Sequence, residues 1–237
     1  MPTVILDPGH GGSDPGAVGN GTTEKERNLA MAYAVKSAFE RQGAGVIMTR
    51  SSDIAVILSQ QTTIENAKDA DLFISLHIDS APQNPAASGF TFWLHSDAPQ
   101  SYIDWAASMY EGIKAVGLTT NRAQVINRGY TGDPNADYFV NNNTNAPSVL
   151  IECGFITHKG NVDDNRAKIE KYAEAIVKGS CKFLGIDYRS PDESVPPIPS
   201  TGDQAQLIEQ LEAENRSLKS EISDLKAKIN KAKDALA

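Results

Sequence analysis

Thr3-Val4-Ile5-Leu6-Asp7-Pro8-Gly9-His10-Gly11-Gly12 opens the chain with an apolar run that stops abruptly on a turn sequence. A short run of aliphatic and β-branched residues reads as a buried strand, and Asp-Pro-Gly ends it. The same alternation continues downstream. Over residues 24–42 the apolar positions Leu29, Ala32, Tyr33, Val35, Ala38 and Phe39 recur every three or four residues, predicting a helix stopped by Gly43. Residues 45–49 read as a second strand and 54–68 as a second helix. The largely apolar run 72–78 reads as a central strand buried on both faces. A strand at 89–94, a helix at 102–116, strands at 123–127 and 148–153, and one long amphipathic helix at 163–184 complete the pattern. Strands separated by helices predict an α/β fold: a single domain over 1–188, with a six-stranded mixed, mostly parallel sheet covered by helices.

Composition narrows the function. The 237 residues carry 22 Lys and Arg against 30 Asp and Glu, a net charge of −8, which argues against a nucleic-acid partner held through its phosphates. No run of about 18 apolar residues is present, so no membrane span is expected. No basic stretch followed by an apolar run begins the chain, which predicts synthesis in the cytoplasm without a secretory signal. Cys153 and Cys181 are too few for a disulfide scaffold and are expected to be buried thiols.

Beyond residue 188 the composition changes. Residues 189–203 hold Pro191, Pro196, Pro197 and Pro199 among small polar residues, the mark of a stiff extended linker. Residues 204–237 fall into heptads with Ile208, Asn215, Ile222, Ile229 and Leu236 at a, and Leu211, Leu218, Leu225 and Ala232 at d. Isoleucine at a with leucine at d favours a parallel two-stranded coiled coil, and one buried Asn fixes its register. Glu214 would face Lys219 across the pair, and Glu221 would face Lys226. The expectation is a homodimer through residues 204–237.

In open α/β sheets, sites form where the carboxyl ends of strands converge. That rule selects His10 after the first strand, His77 at the end of the third and Glu152 at the end of the last, with Glu24 opening the first helix. Each has a plain structural reading by itself; Glu24, for example, could complement a helix dipole. Glu152 is harder to dismiss, because a carboxylate at the end of a buried strand is costly unless it is paired. Together, two imidazoles and a carboxylate are the protein ligands of a hydrolytic zinc site with one open position, and a further carboxylate is the proton acceptor such a site needs.

Asp7-Pro8-Gly9-His10-Gly11-Gly12 with Asp14-Pro15-Gly16-Ala17, then Glu24-Lys25, Ser75-Leu76-His77 and Glu152-Cys153-Gly154-Phe155, resembles the zinc-dependent N-acetylmuramoyl-L-alanine amidases of the amidase-3 type. Thr49-Arg50 followed by Asp53 is similar to that family as well. The resemblance covers about residues 1–186 and implies Zn2+ held by His10, Glu24 and His77, with Glu152 as the catalytic carboxylate. It implies peptidoglycan as substrate, cut at the amide between the lactyl group of N-acetylmuramic acid and L-alanine. With no secretory signal, an endolysin-like protein released through a holin pore, or an autolysin freed by lysis, is expected. Two residues depart from the family pattern: Asp79 and His158 stand where Asn is common. Asp79 is therefore a candidate substrate contact, as is Arg128 in the Asn-rich stretch 121–145 that also carries Arg122, Tyr130 and Tyr138.

Other readings share these residues. A zinc peptidase cutting within the stem peptide would use the same metal chemistry, although His-Glu-x-x-His is absent. A non-catalytic glycan-binding assembly protein would keep the fold without the reaction. Gly9-His10-Gly11-Gly12 also mimics a dinucleotide turn, but no P-loop lysine follows. For the tail, light scattering of the full chain and of a chain lacking residues 190–237 should give a dimer and a monomer; the same oligomeric state in both would refute the coiled coil.

Overall fold

The computed structural model describes residues 1–66, 68–118, 120–129 and 137–191. The predicted coiled coil, most of the linker and Tyr130 lie outside them. The main sheet has six strands in the order β4-β1-β5-β8-β6-β7. These are β1 (Thr3–Pro8), β4 (Gly45–Met48), β5 (Leu72–Asp79), β6 (Thr91–Leu94), β7 (Ile126–Arg128) and β8 (Ser148–Phe155). β4, β1, β5 and β8 run parallel to one another, β6 is antiparallel to β8, and β7 is parallel to β6. The expected mixed, mostly parallel sheet is what forms. A two-stranded hairpin, β2 (Val18–Gly19) with β3 (Thr22–Thr23), precedes the first helix.

The central strands have no solvent face. Val4, Ile5 and Leu6 of β1 and Leu72, Phe73 and Ile74 of β5 are all fully buried, so side chains of both parities need apolar cover. On one face α1 (Glu24–Arg41), α3 (Gln100–Ala115) and α6 (Ile169–Leu184) supply it, through Met31, Val35, Phe39, Trp105, Met109 and Ile176. On the other, α2 (Leu58–Asn66) and α4 (Phe139–Asn143) cover Ile5, Phe73, Trp93 and Leu150. Both cysteines are free and buried. No helix among the described residues is long and apolar enough to cross a membrane.

Several boundaries differ from the sequence reading. The long helix over 163–184 is two helices: α5 (Lys159–Ala167) and α6, which meet where Lys168 leaves helical geometry at φ −123° and ψ 16°. Amphipathic periodicity runs through this junction. Polar contacts tie α5 to β8 and to the segment before β6: Asn161 Oδ1 accepts from the Phe155 and Gly89 amides at 3.1 Å, and Asn165 Nδ2 donates to the Cys153 carbonyl. α2 begins at Leu58, four residues later than the periodicity suggests, and Ile54 and Ile57 stay exposed. β7 is a shorter, later strand than 123–127. β8 continues to Phe155, so Glu152 lies inside the strand, level with His77, and does not end it.

Helices α3 and α6 approach closely through small residues. A Cβ on Gly179 would sit 2.6 Å from the Met109 backbone nitrogen and 2.7 Å from its Cγ. Gly179→Ala gains helix propensity of about 1 kcal/mol but meets that contact. The clash should outweigh the gain, as overpacking costs about 1–3 kcal/mol, and calorimetry should show a lowered Tm. An unchanged or higher Tm would contradict this helix contact.

Candidate metal centre and cleft

Three chain segments bring His10, Glu24 and His77 together, and each offers a donor atom within 4.8 Å of the others. Glu24 Oε1 lies 3.2 Å from His10 Nε2 and 3.0 Å from His77 Nδ1. It also accepts from the Ile78 amide at 3.3 Å, while Oε2 accepts from the Ala17 amide at 2.9 Å. Asp14 Oδ2 contacts His10 Nδ1 at 2.8 Å, which leaves the other ring nitrogen directed at the cluster. A carboxylate behind a ligating imidazole fixes its tautomer and orientation in metal sites. Two imidazole nitrogens and one carboxylate oxygen, held by outer partners, are a donor set that fits zinc.

The glycines of the first motif are required by this convergence. A Cβ on Gly9 would lie 2.1 Å from the His77 ring, and one on Gly16 would lie 2.6 Å from Glu24 Oε2. His10 itself sits at φ 62°, in the left-handed region that non-glycine residues rarely occupy. Arg50, only 2% exposed, holds this loop in place. Its guanidinium donates to the carbonyls of Pro8 at 2.8 Å, Gly9 at 3.1 Å and Lys25 at 2.8 Å, bridging the end of β1 to the start of α1. Asp53 closes the same clamp, accepting from the Gly12 amide and from Lys25 Nζ, both at 2.7 Å. Buried Asp7 accepts from Thr49 Oγ1 and Ser75 Oγ at 2.7 Å each, tying β4, β1 and β5 together below the site.

Charge in the cluster is strongly coupled. The hydrogen bond to Glu24, opposed by burial and helped by Asp14, pushes His10 up to about 9. Burial would raise the Glu24 carboxyl, but hydrogen bonds from His10 and His77 outweigh it and hold Glu24 far below the usual carboxylate range. Glu152 moves the other way. Burial, and after it the charges of Asp79 and Glu24, push its carboxyl well above its ordinary value. Its Oε2 is buried without a hydrogen-bond partner. His77 and Glu152 are register partners on adjacent parallel strands, so the free carboxyl oxygen belongs to the edge that carries the cluster.

A cleft of about 760 Å3 opens here, with His10, His77 and Glu152 at its floor and Val56, Ile57, Leu58 and Phe139 on an apolar wall. Asp79 is not free to act alone: Arg122 pairs with its Oδ2 at 2.6 Å, and the guanidinium lies 4.1 Å from the centre of the Phe155 ring. Arg128 is exposed at the end of β7 and is not among the residues lining the cleft. His158 caps α5, its Nδ1 accepting from the Asn161 amide at 3.0 Å, and His95 lies 3.4 Å from Asp137. Asp14, Arg50 and Arg122 are the residues that sequence reasoning left without a role. Asp14, four residues beyond His10 in a glycine-rich turn, carried a local signal; Arg122 is joined to Asp79 only by the fold.

Residues 4–184 match the family described as N-acetylmuramoyl-L-alanine amidase. The uncharacterised protein YqiI of Bacillus subtilis (strain 168) is 35% identical over 183 residues, spanning 75% of this chain and 82% of that protein. The sporulation-specific N-acetylmuramoyl-L-alanine amidase of the same organism is 30% identical over 187 residues, spanning 78% of this chain and 67% of its own length. Among solved structures, the CwlD amidase from Clostridioides difficile, in complex with the GerS lipoprotein, is similar at a TM-score of 0.69 and 30% identity, with 79% of this chain and 100% of that chain covered. The family match spans the sheet, the His10–Glu24–His77 cluster and Glu152, and the chain belongs to the N-acetylmuramoyl-L-alanine amidases.

Proposed function

We propose that this chain hydrolyses the amide between the lactyl group of N-acetylmuramic acid and L-alanine in peptidoglycan, with zinc held by His10, Glu24 and His77 and with Glu152 carrying the proton. The observation behind this reading is the meeting of three donor groups within 4.8 Å on the sheet edge where Glu152 keeps a buried, unpartnered oxygen. Family membership supports the choice of bond. Zinc bound there would supply a Lewis acid and a water activated near neutral pH.

The chain's own groups account for the rest. Asp14 at His10 Nδ1 and the Ala17 amide at Glu24 Oε2 fix two of the donors before any ligand arrives. Glu152 accepts a proton from the attacking water and returns it to the alanine nitrogen as the C–N bond breaks. Its high proton affinity suits the second half of that cycle, and a dication nearby would lower it for the first. Ile57, Leu58 and Phe139 give the cleft an apolar wall beside these groups.

Glu152→Gln keeps the shape of the side chain and removes the proton carrier. The variant should bind about one zinc per chain, as the wild type does, while turnover falls by about 10²–10⁴. Metal analysis, with mass spectrometry of digested peptidoglycan for new N-terminal alanine, checks both. Near-normal turnover by the zinc-loaded variant would reject the role given to Glu152; cleavage inside the stem by the wild type would reject the bond.

A further inference from the structure

The loop that carries His10 lies directly against the segment that builds the apolar wall of the cleft. A Cβ on Gly11 would sit 2.1 Å from the Ile54 carbonyl oxygen, and one on Gly12 2.7 Å from the Ala55 nitrogen, so the two backbones touch. From Ala55 the segment continues as Val56, Ile57 and Leu58, all of which line the main cleft. Ile54, Ile57 and Leu58 are 52%, 63% and 51% exposed, so burial in the core does not hold this wall. The start of α2 fixes its far end. The near end needs a fastening of its own.

Asp53 and Lys25 supply it. Asp53 Oδ1 accepts from the Gly12 amide and Oδ2 from Lys25 Nζ, both at 2.7 Å. Lys25 Nζ also donates to the Gly12 carbonyl at 2.8 Å, so one acid–base pair holds both backbone polar groups of Gly12. Beneath the pair, Arg50 Nη1 donates to the Ser52 carbonyl at 3.1 Å, and Tyr33 of α1 donates to the Ser51 carbonyl at 2.6 Å. Lys25 directly follows Glu24 in α1. Three parts of the cleft therefore meet at Gly12: the His10 loop, the helix start that carries Glu24, and the wall. Asp53 is exposed, and an exposed ion pair adds little to stability, so its bonds supply geometry more than folding energy.

We propose that Asp53, acting with Lys25, is a positioning residue that sets the His10 loop and the cleft wall as one unit, so that metal affinity and substrate fit change together. The metal effect rests on the cluster, and the substrate effect on the amidase reading above. His10 sits at φ 62°, a conformation that persists only where its surroundings enforce it. The bonds to Gly12, two residues on, are part of that enforcement. Removing them frees the His10 loop, and it frees the start of the segment that ends in Ile57 and Leu58.

The test uses the full chain with Asp53→Ala, Lys25→Met and both together. Tm should fall by no more than about 2–4 °C. Zinc affinity, read by competition with a chromophoric chelator, should fall about fivefold in each single variant. KM for N-acetylmuramoyl-L-alanyl-γ-D-glutamyl-L-lysine should rise about fivefold, with kcat at saturating zinc close to that of wild type. The double variant should lose no more than either single one, because a clasp opened at one corner is already open. Unchanged zinc affinity and KM would overturn the proposal, as would a change in one without the other or losses that multiply in the double variant. If the wild type binds no zinc or leaves this substrate uncut, the metal or the amidase reading has failed, and hydrogen exchange of the metal-free chain decides the clasp by itself. Faster exchange in Asp53→Ala at 10–12 and 54–58 together supports it, and faster exchange at one segment alone, or at neither, overturns it.

Discussion

One carboxylate oxygen organises this protein. Glu24 Oε1 stands within 3.2 Å of His10 Nε2 and 3.0 Å of His77 Nδ1, so a helix start, a loop and a strand end must all reach one point. Bringing an acid and two imidazoles together in a half-buried site is costly unless each group is paired or ligating. Most of the surrounding architecture serves that requirement. Gly9 and Gly16 are small because the His77 ring and the Glu24 carboxylate occupy the space where a Cβ would be. Arg50 spends its donors on the carbonyls of the loop and of α1, and needs no carboxylate partner. The parallel strands β1 and β5 put their ends side by side, which is why residues 10 and 77 can meet at all.

Much of this was legible in the sequence, for physical reasons. The runs 4–6 and 72–74 are apolar at successive positions, as expected of a strand covered on both faces, and with the helices between the strands they pointed to the class of fold. That His10, Glu24 and His77 come together was legible because strand ends in such sheets converge, and because the spaced motifs resemble those of a known family. The break at Lys168 was not legible. Hydrophobic period persists across it, while α5 is tied by Asn161 and Asn165 to the backbone of β8 and of Gly89, contacts that periodicity does not report. The Arg122–Asp79 pair was hidden for the same reason: 43 residues separate them, and only the fold makes them neighbours. Arg128, singled out in the Asn-rich stretch, is exposed at the end of β7, and Arg122 is the arginine that reaches Asp79.

The sheet also separates two tasks that one carboxylate type could confuse. Glu24 is held by His10, His77 and two backbone amides and stays charged, which fits the ligand role proposed for it. Glu152, on a neighbouring strand, has no partner for Oε2 and is pushed toward the protonated form by burial, which fits the proton-carrying role proposed for it. Two carboxyl groups whose surroundings drive them in opposite directions are the pattern expected of divided acid–base work.

The central claim is that His10, Glu24 and His77 share one zinc ion. X-ray absorption at the zinc edge of the loaded protein tests it most directly. The account predicts a first shell of nitrogen and oxygen only, at about 2.0–2.2 Å, with the outer-shell scattering of two imidazole rings. A sulfur shell at about 2.3 Å, or a shell of oxygens without imidazole, would contradict it.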